Sequence, residues 1–183
     1  MRYTTLSLNA VSDALRDIAL ETRETFGTLD EEQLNWRPDA TRWSIAQCFE
    51  HLVTGNRLVL EAGQAALAHP RTSVWQRVPL LPAVWGWMLI RSQGPNSGGK
   101  FTAPARATPA SRISGDIIHR FIEQHRDAEA WTRGLDEDTA RRTIMNSPFV
   151  KVVAYSVLDA LRLLVAHDRR HFEQARRVLL LPK

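Results

Sequence analysis

Cysteine is nearly absent from this chain. Cys48 stands alone, which excludes an intrachain disulfide and any CxxC metal or redox site. Lysine is scarce as well: 21 of the 24 basic residues are arginine, and they are scattered without a run of five or six like charges. The formal net charge is +4 and the pI near 9.8. So diffuse a basic balance reads as solvated surface rather than as a stripe that tracks phosphates, and no nucleic-acid partner is expected. No basic-then-apolar leader opens the chain, because Met1 to Asp17 already mixes polar and charged residues. No segment offers the roughly 20 uninterrupted apolar residues of a membrane span. Together with the lack of cysteine pairs, this leads to the expectation of a cytoplasmic protein with no membrane partner. Neither an internal repeat nor the alternation of a strand pair is visible, so an all-α chain is predicted.

What is present is ordinary globular material. The 183 residues are 44% hydrophobic and 24% charged, enough to bury a core without staples, and residues 1–183 are expected to form a single domain. Leu8, Val11, Leu15, Ile18, Thr22 and Phe26 recur at helical spacing, and Gly27 ends that first helix. Thr28-Leu29-Asp30-Glu31 reads as a capping box opening a short turn through Leu34. Trp36-Arg37-Pro38-Asp39 should be extended, since the residue before proline avoids the helical region. Ser44 and Gln47 form a second capping box, with Trp43 and Cys48 placed for a hydrophobic staple, and this helix should run to about Ala68. His69, before Pro70, suits a helix C-terminus.

From Pro70 to Pro109 the pattern breaks: six of the nine prolines and four of the nine glycines fall there. Inside it, Val74 to Ile90 carries Trp75, Trp85 and Trp87. A short extra helix packed on the bundle competes with a pocket cover, a dimer contact and a membrane-surface contact as its role. Ser114 is the predicted cap of a third helix reaching about Gly134, with His125 near the inner stripe and His119 outward. Asp136 to Pro148 is a connection. Ser156 and Asp159 fit the capping-box pattern of a last helix that continues to about Leu180. Four amphipathic helices of roughly 20–25 residues with one long connection between the second and third predict an up-and-down four-helix bundle.

The chemistry concentrates in His167-Asp168-Arg169-Arg170-His171. Histidines four apart on a helix share a face, with Cβ atoms roughly 5–6 Å apart, so both imidazoles can bind one divalent ion. Val157, Ala160, Leu164, His167, His171, Gln174 and Val178 step by threes and fours and form the inner stripe; Arg162, Arg169, Arg170, Arg176 and Arg177 take the remaining, solvated positions. His51 lies seven residues after its cap at Ser44, whereas His167 and His171 lie eleven and fifteen after Ser156. If the second and fourth helices run the same way, a stagger of about one to two turns levels the three imidazoles. Three histidines leave a coordination position open, as catalytic rather than structural metal sites do. Zinc or nickel is the expected ion, although imidazole also suits copper and iron. HDRRH departs from the protease motif HExxH in its shorter acid, and no histidine follows His171 to complete such a site. Asp168 is expected beside the ligands as an orienting or surface group, and Gln174 as a group that orients a ligand or substrate. For His125, a histidine bonded within the core is favoured over a fourth ligand. Cys48, on an apolar face one turn before His51, reads as an inert buried thiol.

Gln33-Leu34-Asn35-Trp36-Arg37-Pro38, followed by Trp43-Ser44-Ile45-Ala46-Gln47 leading to His51, resembles the opening pattern of the DinB/YfiT-like superfamily. His167-Asp168-Arg169-Arg170-His171-Phe172-Glu173-Gln174-Ala175 resembles its closing motif, and the two frame most of the chain. The resemblance implies a metal-binding four-helix bundle, commonly dimeric, with the ion on His51, His167 and His171. Its relatives include thiol-dependent transferases and isomerases that act with bacillithiol or mycothiol. The implied function is a metal-dependent enzyme, a thiol-dependent transferase or a related hydrolase or isomerase, acting on a small molecule and assembled as a homodimer. The alternative is a non-catalytic, metal-stabilised binding or stress-response module.

Overall fold

The computed structural model describes residues 3–69, 81–93, 107–150 and 152–182. A 3-10 turn at Tyr3–Thr5 precedes helix α1, Leu8–Phe26, and a short helix α2 follows at Glu31–Asn35. The box that opens α2 is built on Asp30 and Gln33 rather than on Thr28. Asp30 accepts from the Gln33 amide at 2.8 Å and Gln33 returns the bond at 3.0 Å, whereas Thr28 lies two residues too early to reach that turn. Helix α3, Ile45–Ala68, starts at the predicted box, with Ser44 and Gln47 bonding each other's backbone amides at 3.1 Å.

Within the proline- and glycine-rich stretch, Leu81–Gln93 is a helix, α4, that packs on the last long helix. This is the extra helix weighed above. Val74 to Leu80, with Trp75, lies outside the described residues. Helix α5, Ile117–Arg133, begins at Asp116, which makes no side-chain cap bond. Ser114 contributes only its carbonyl, to the Ile117 amide at 3.3 Å, so it is not the cap. The connection after α5 contains a short helix α6, Glu137–Arg142, and strand β1, Ile144–Asn146. β1 pairs antiparallel with β2, Ala154–Ser156, with Met145 opposite Tyr155. The expectation of no strand pair fails here because three-residue strands are too short to display alternation, and all three residues of β2 are buried. Helix α7, Val157–Leu179, follows directly; Ser156 caps it through the Asp159 amide, while the Asp159 carboxylate turns to Arg162.

The four long helices form the expected all-α bundle, but of the consecutive pairs only α3 and α5 are neighbours. α1 packs on α5 and α7, and α3 packs on the same two, so α1 and α3 face each other across a diagonal, as do α5 and α7. Contacts along the helices fix their directions. Leu6 and Glu21 meet Arg162 and Arg169, so α1 and α7 are parallel. Glu50 and Val53 meet Arg120 and Gln124, so α3 and α5 are parallel. His51 meets His167, Asn56 meets Asp168, and Gly63 lies against Val157, so α3 and α7 run in opposite directions. The sequence expectation that these two run the same way is therefore corrected. The 48-residue crossover between α3 and α5 lets them lie parallel, which a short hairpin loop does not. The long helices also give up one phenylalanine each to a shared layer. Phe26 meets Phe49 and Phe172 edge-on at centroid distances of 5.2 and 5.4 Å, and Phe49 meets Phe121 at 4.8 Å. Such pairs contribute about 0.5–1.5 kcal/mol each beyond their burial.

No helix among the described residues is long and apolar enough to cross a membrane. α4 seats on α7 through Gly86, where an added Cβ would lie 2.7 Å from Asp159 Oδ2 and 3.0 Å from Asp159 Cβ. Substituting Gly86 by alanine should therefore destabilise the fold by about 1–3 kcal/mol, the usual cost of overpacking. A denaturant midpoint that is unchanged in that variant would show that α4 does not depend on this contact.

Candidate metal centre

α3 and α7 bring His51, His167 and His171 together, as the spacing predicted, although from opposite directions. The ring centroids lie 4.6–5.1 Å apart and the planes are steeply inclined to one another, so the three imidazoles converge edge-on. One nitrogen from each ring lies within 4.8 Å of the other two. His51 Nδ1 faces the carbonyl of Ala107 at 2.7 Å, which fixes the proton on Nδ1 and leaves the Nε2 lone pair pointing inward. That Nε2 is 3.3 Å from His167 Nε2. Two nitrogens at the zinc distance of about 2.0–2.1 Å and a tetrahedral angle are separated by about 3.3–3.4 Å. An N–H···N bond between His51 and His167 fits the same distance, but it leaves His171 outside the pair. His171 Nδ1 is buried and bonded to nothing among the described residues. A buried polar atom of that kind costs about 1–3 kcal/mol, and a shared cation is a group that uses all three rings. The residues fit a divalent metal.

Electrostatics keep the rings neutral. Burial pushes the His167 imidazole well below its ordinary value, and His171 and His51 add to the effect. His171 is pushed down to about 3, first by burial and then by His51 and Arg170, with the Gln174 amide acting weakly the other way. His51 is lowered by burial, opposed by its bond to Ala107 and by the charge of Asp168. Neutral imidazole is the form that binds metal, so protons compete little for the site near pH 7.

The motif residues around the cluster hold its frame. The Asn35 amide pairs with both backbone groups of Ile113 at 2.8 and 2.9 Å, and Gln47 Nε2 donates to the Ala110 carbonyl at 2.9 Å. Together they fasten the segment whose Ala107 carbonyl orients His51. Arg37 braces the Ala40 and Arg42 carbonyls, just before Trp43. Trp43 stacks beside His171 at 5.8 Å and packs on His51 at 5.1 Å, so it flanks the site.

Asp168 is neither a surface group nor a neighbour of the cluster's open side. It is 0% exposed, and its carboxylate takes Asn56 Nδ2 at 3.0 and 3.2 Å and His125 Nε2 at 2.9 Å. His125 also turns Nδ1 to the Phe121 carbonyl at 3.1 Å. It is thus a bonded core histidine, as favoured, and does not join the metal cluster. Arg162, Arg169 and Arg170 are half-buried rather than solvated: they bond to the Leu6 carbonyl, Glu21 and the Ser92 carbonyl, because α1 and α4 cover that side of α7. Burial raises the Cys48 thiol to about 12, so it is the inert thiol expected. The cluster opens on a cavity of about 1150 Å³ walled by α3, α4, α7 and the hairpin loop at Phe149, Val150 and Val153.

Two outcomes are expected. A histidine whose folded pKa is depressed holds full stability above the unfolded value near 6.5 and loses it as pH falls toward the folded value. Metal-free protein should therefore keep a constant melting temperature from pH 8 to about 7 and lose stability progressively from pH 6.5 toward 3. A His167→Gln, His171→Gln double variant with the same slope would refute this. Gln47→Met should cost about 1–2 kcal/mol of stability through the lost cap and anchor. It should also weaken zinc binding by about 10–100-fold; competition with a chromophoric chelator measures this, and wild-type affinity would break the link from Gln47 through Ala107 to His51.

Comparisons with curated proteins and with solved structures return no match for this chain. A family model, described as DinB superfamily, matches residues 14–175, a span that takes in the helix carrying His51 and the one carrying both His167 and His171. The chain belongs to the DinB superfamily.

Proposed function

We propose that this chain is a metal-dependent enzyme that holds a divalent ion, zinc or nickel, on His51, His167 and His171 and transfers a group to a low-molecular-weight thiol or to water. The observation that carries the reading is the convergence of three neutral imidazoles on a large cavity, with no further His, Cys, Asp or Glu in the group among the described residues. A bound divalent ion supplies Lewis acidity, which lets a coordinated thiol or water lose its proton near neutral pH. The chain's own residues prepare for that. Ala107 keeps the His51 lone pair aimed inward, and Trp43 flanks two of the rings. Cys48 takes no part as a nucleophile. A cytoplasmic homodimer belongs to the same reading; the exposed Val84, Trp87 and Met88 on one face of α4 support the dimer, and a sedimentation mass of one chain would remove it.

A non-catalytic, metal-stabilised binding module is the second reading. It is favoured by the lining of the cavity, which offers no carboxylate as a general base among the described residues.

Elemental analysis of untagged protein should find about one ion per chain, lost in His51→Ala, His167→Ala and His171→Ala. Wild-type metal content in all three variants would sink the site. Thiol consumption with an electrophile, abolished by chelation and restored by zinc or nickel, should accompany it. A loaded protein that turns over no thiol or hydrolytic substrate leaves the binding module as the reading.

A further inference from the structure

Imidazole binds a metal in its neutral form. A divalent ion on His51, His167 and His171 therefore brings two positive charges that its ligands do not cancel. Inside a bundle such a charge is costly unless a charge of opposite sign lies near it. Each of the three histidines has an acid one or two residues away in sequence, and the fold treats these acids differently. Glu50, beside His51, is partly exposed and pairs with Arg120 at 3.4 Å. Glu173, two residues after His171, is partly exposed and pairs with Arg176 at 3.0 Å. Asp168, beside His167, is the one of the three that is fully buried.

The Asp168 carboxylate is also held in place. Asn56 Nδ2 reaches both of its oxygens, at 3.0 and 3.2 Å, and His125 Nε2 lies 2.9 Å from Oδ2. With both oxygens engaged, Asp168 does not join the group that converges on one ion. Its charge still reaches the rings, since it favours a positive charge on His51. His125 meets the carboxylate from α5, across the diagonal from α7 and away from the seam of α3 and α7 that carries the rings.

We propose that Asp168 is the buried counter-charge of the metal centre, stabilising the bound ion across space rather than by a bond, so that the site prefers doubly to singly charged ions. Coulomb energy is proportional to the ion's charge and grows where water is excluded. Three neutral imidazoles carry no such preference by themselves. The inference rests on the proposed metal centre and adds to it a residue that takes no coordination position.

Asp168→Asn separates charge from position, because the new amide can keep the bonds of the carboxylate. Its oxygen accepts from Asn56, and its nitrogen donates to His125 Nε2 while His125 Nδ1 donates to the Phe121 carbonyl. Zinc affinity is measured by competition with a chromophoric chelator, and copper(I) affinity by competition with bicinchoninate without oxygen. Both use a Cys48→Ala background, which removes the chain's one thiol. Zinc should bind about 100-fold more weakly in the variant, the upper end of what groups behind metal ligands contribute. Copper(I), with half the charge, should lose the square root of that, about tenfold. If Asp168→Asn does not fold, Asp168→Leu with His125→Leu removes the buried pair together, a change often neutral for stability, and is read by the same ratio. Equal losses for the two ions mean that Asp168 only places the rings, and they overturn the proposal, as does an unchanged zinc affinity. A wild-type chain that binds neither ion refutes the metal centre itself. One that binds both and loses them equally in the variant refutes this inference alone.

Discussion

A carboxylate at the centre of the bundle needs partners, and those of Asp168 determine how the helices meet. Asp168 bonds Asn56 from α3 and His125 from α5, the second across the diagonal of the bundle. Leaving such a charge unpaired costs about 3–5 kcal/mol, so few rotations of α7 are open to it. With Asp168 turned to the centre, His167 and His171 are turned toward α3 and meet His51. The phenylalanine layer adds an apolar constraint at the same level: Phe172 follows His171 directly, Phe49 is two residues before His51, and Phe121 carries the carbonyl that His125 uses. The candidate site is thus set by groups that do not belong to it.

The sequence carried the site's residues better than its surroundings. The caps at Ser44 and Ser156 and the stripe through His167 and His171 are local features, and local features survive folding. Helix direction is not local. A cap shows where a helix begins but not which neighbour it lies against, so the three imidazoles were levelled by a parallel stagger where an antiparallel crossing does the work. The burial of Asp168 is hidden for a related reason: a helix covered by α1, α3 and α4 has more than one inward face, and a single hydrophobic stripe does not show the second. Ala107 was not legible at all, because its contribution is a backbone carbonyl, which any residue supplies.

The motif residues acquire separate physical roles. Asn35 and Gln47 look, in sequence, like two polar positions in two unrelated turns. In the fold both fasten one distant segment, residues 107–113, and that segment orients His51. Arg37 and Trp43 act on the other side, one bracing the loop and the other flanking the rings. The opening signature therefore supports the ring cluster both through the 107–113 segment and directly through Trp43.

The arrangement of helices across diagonals has a consequence for how the molecule comes into being. In most bundles a helix finds its partner next to it in sequence, and folding is quick because the loops to be closed are short. Here each long helix waits for a distant one: the His51–His167 contact alone closes 116 residues. At a synthesis rate of 5–20 residues per second, His51 leaves the ribosome about 6–23 s before the residue it must meet. For that interval the face of α3 that packs on α7 has no partner, and of the long helices only α5 can reach α3 beforehand.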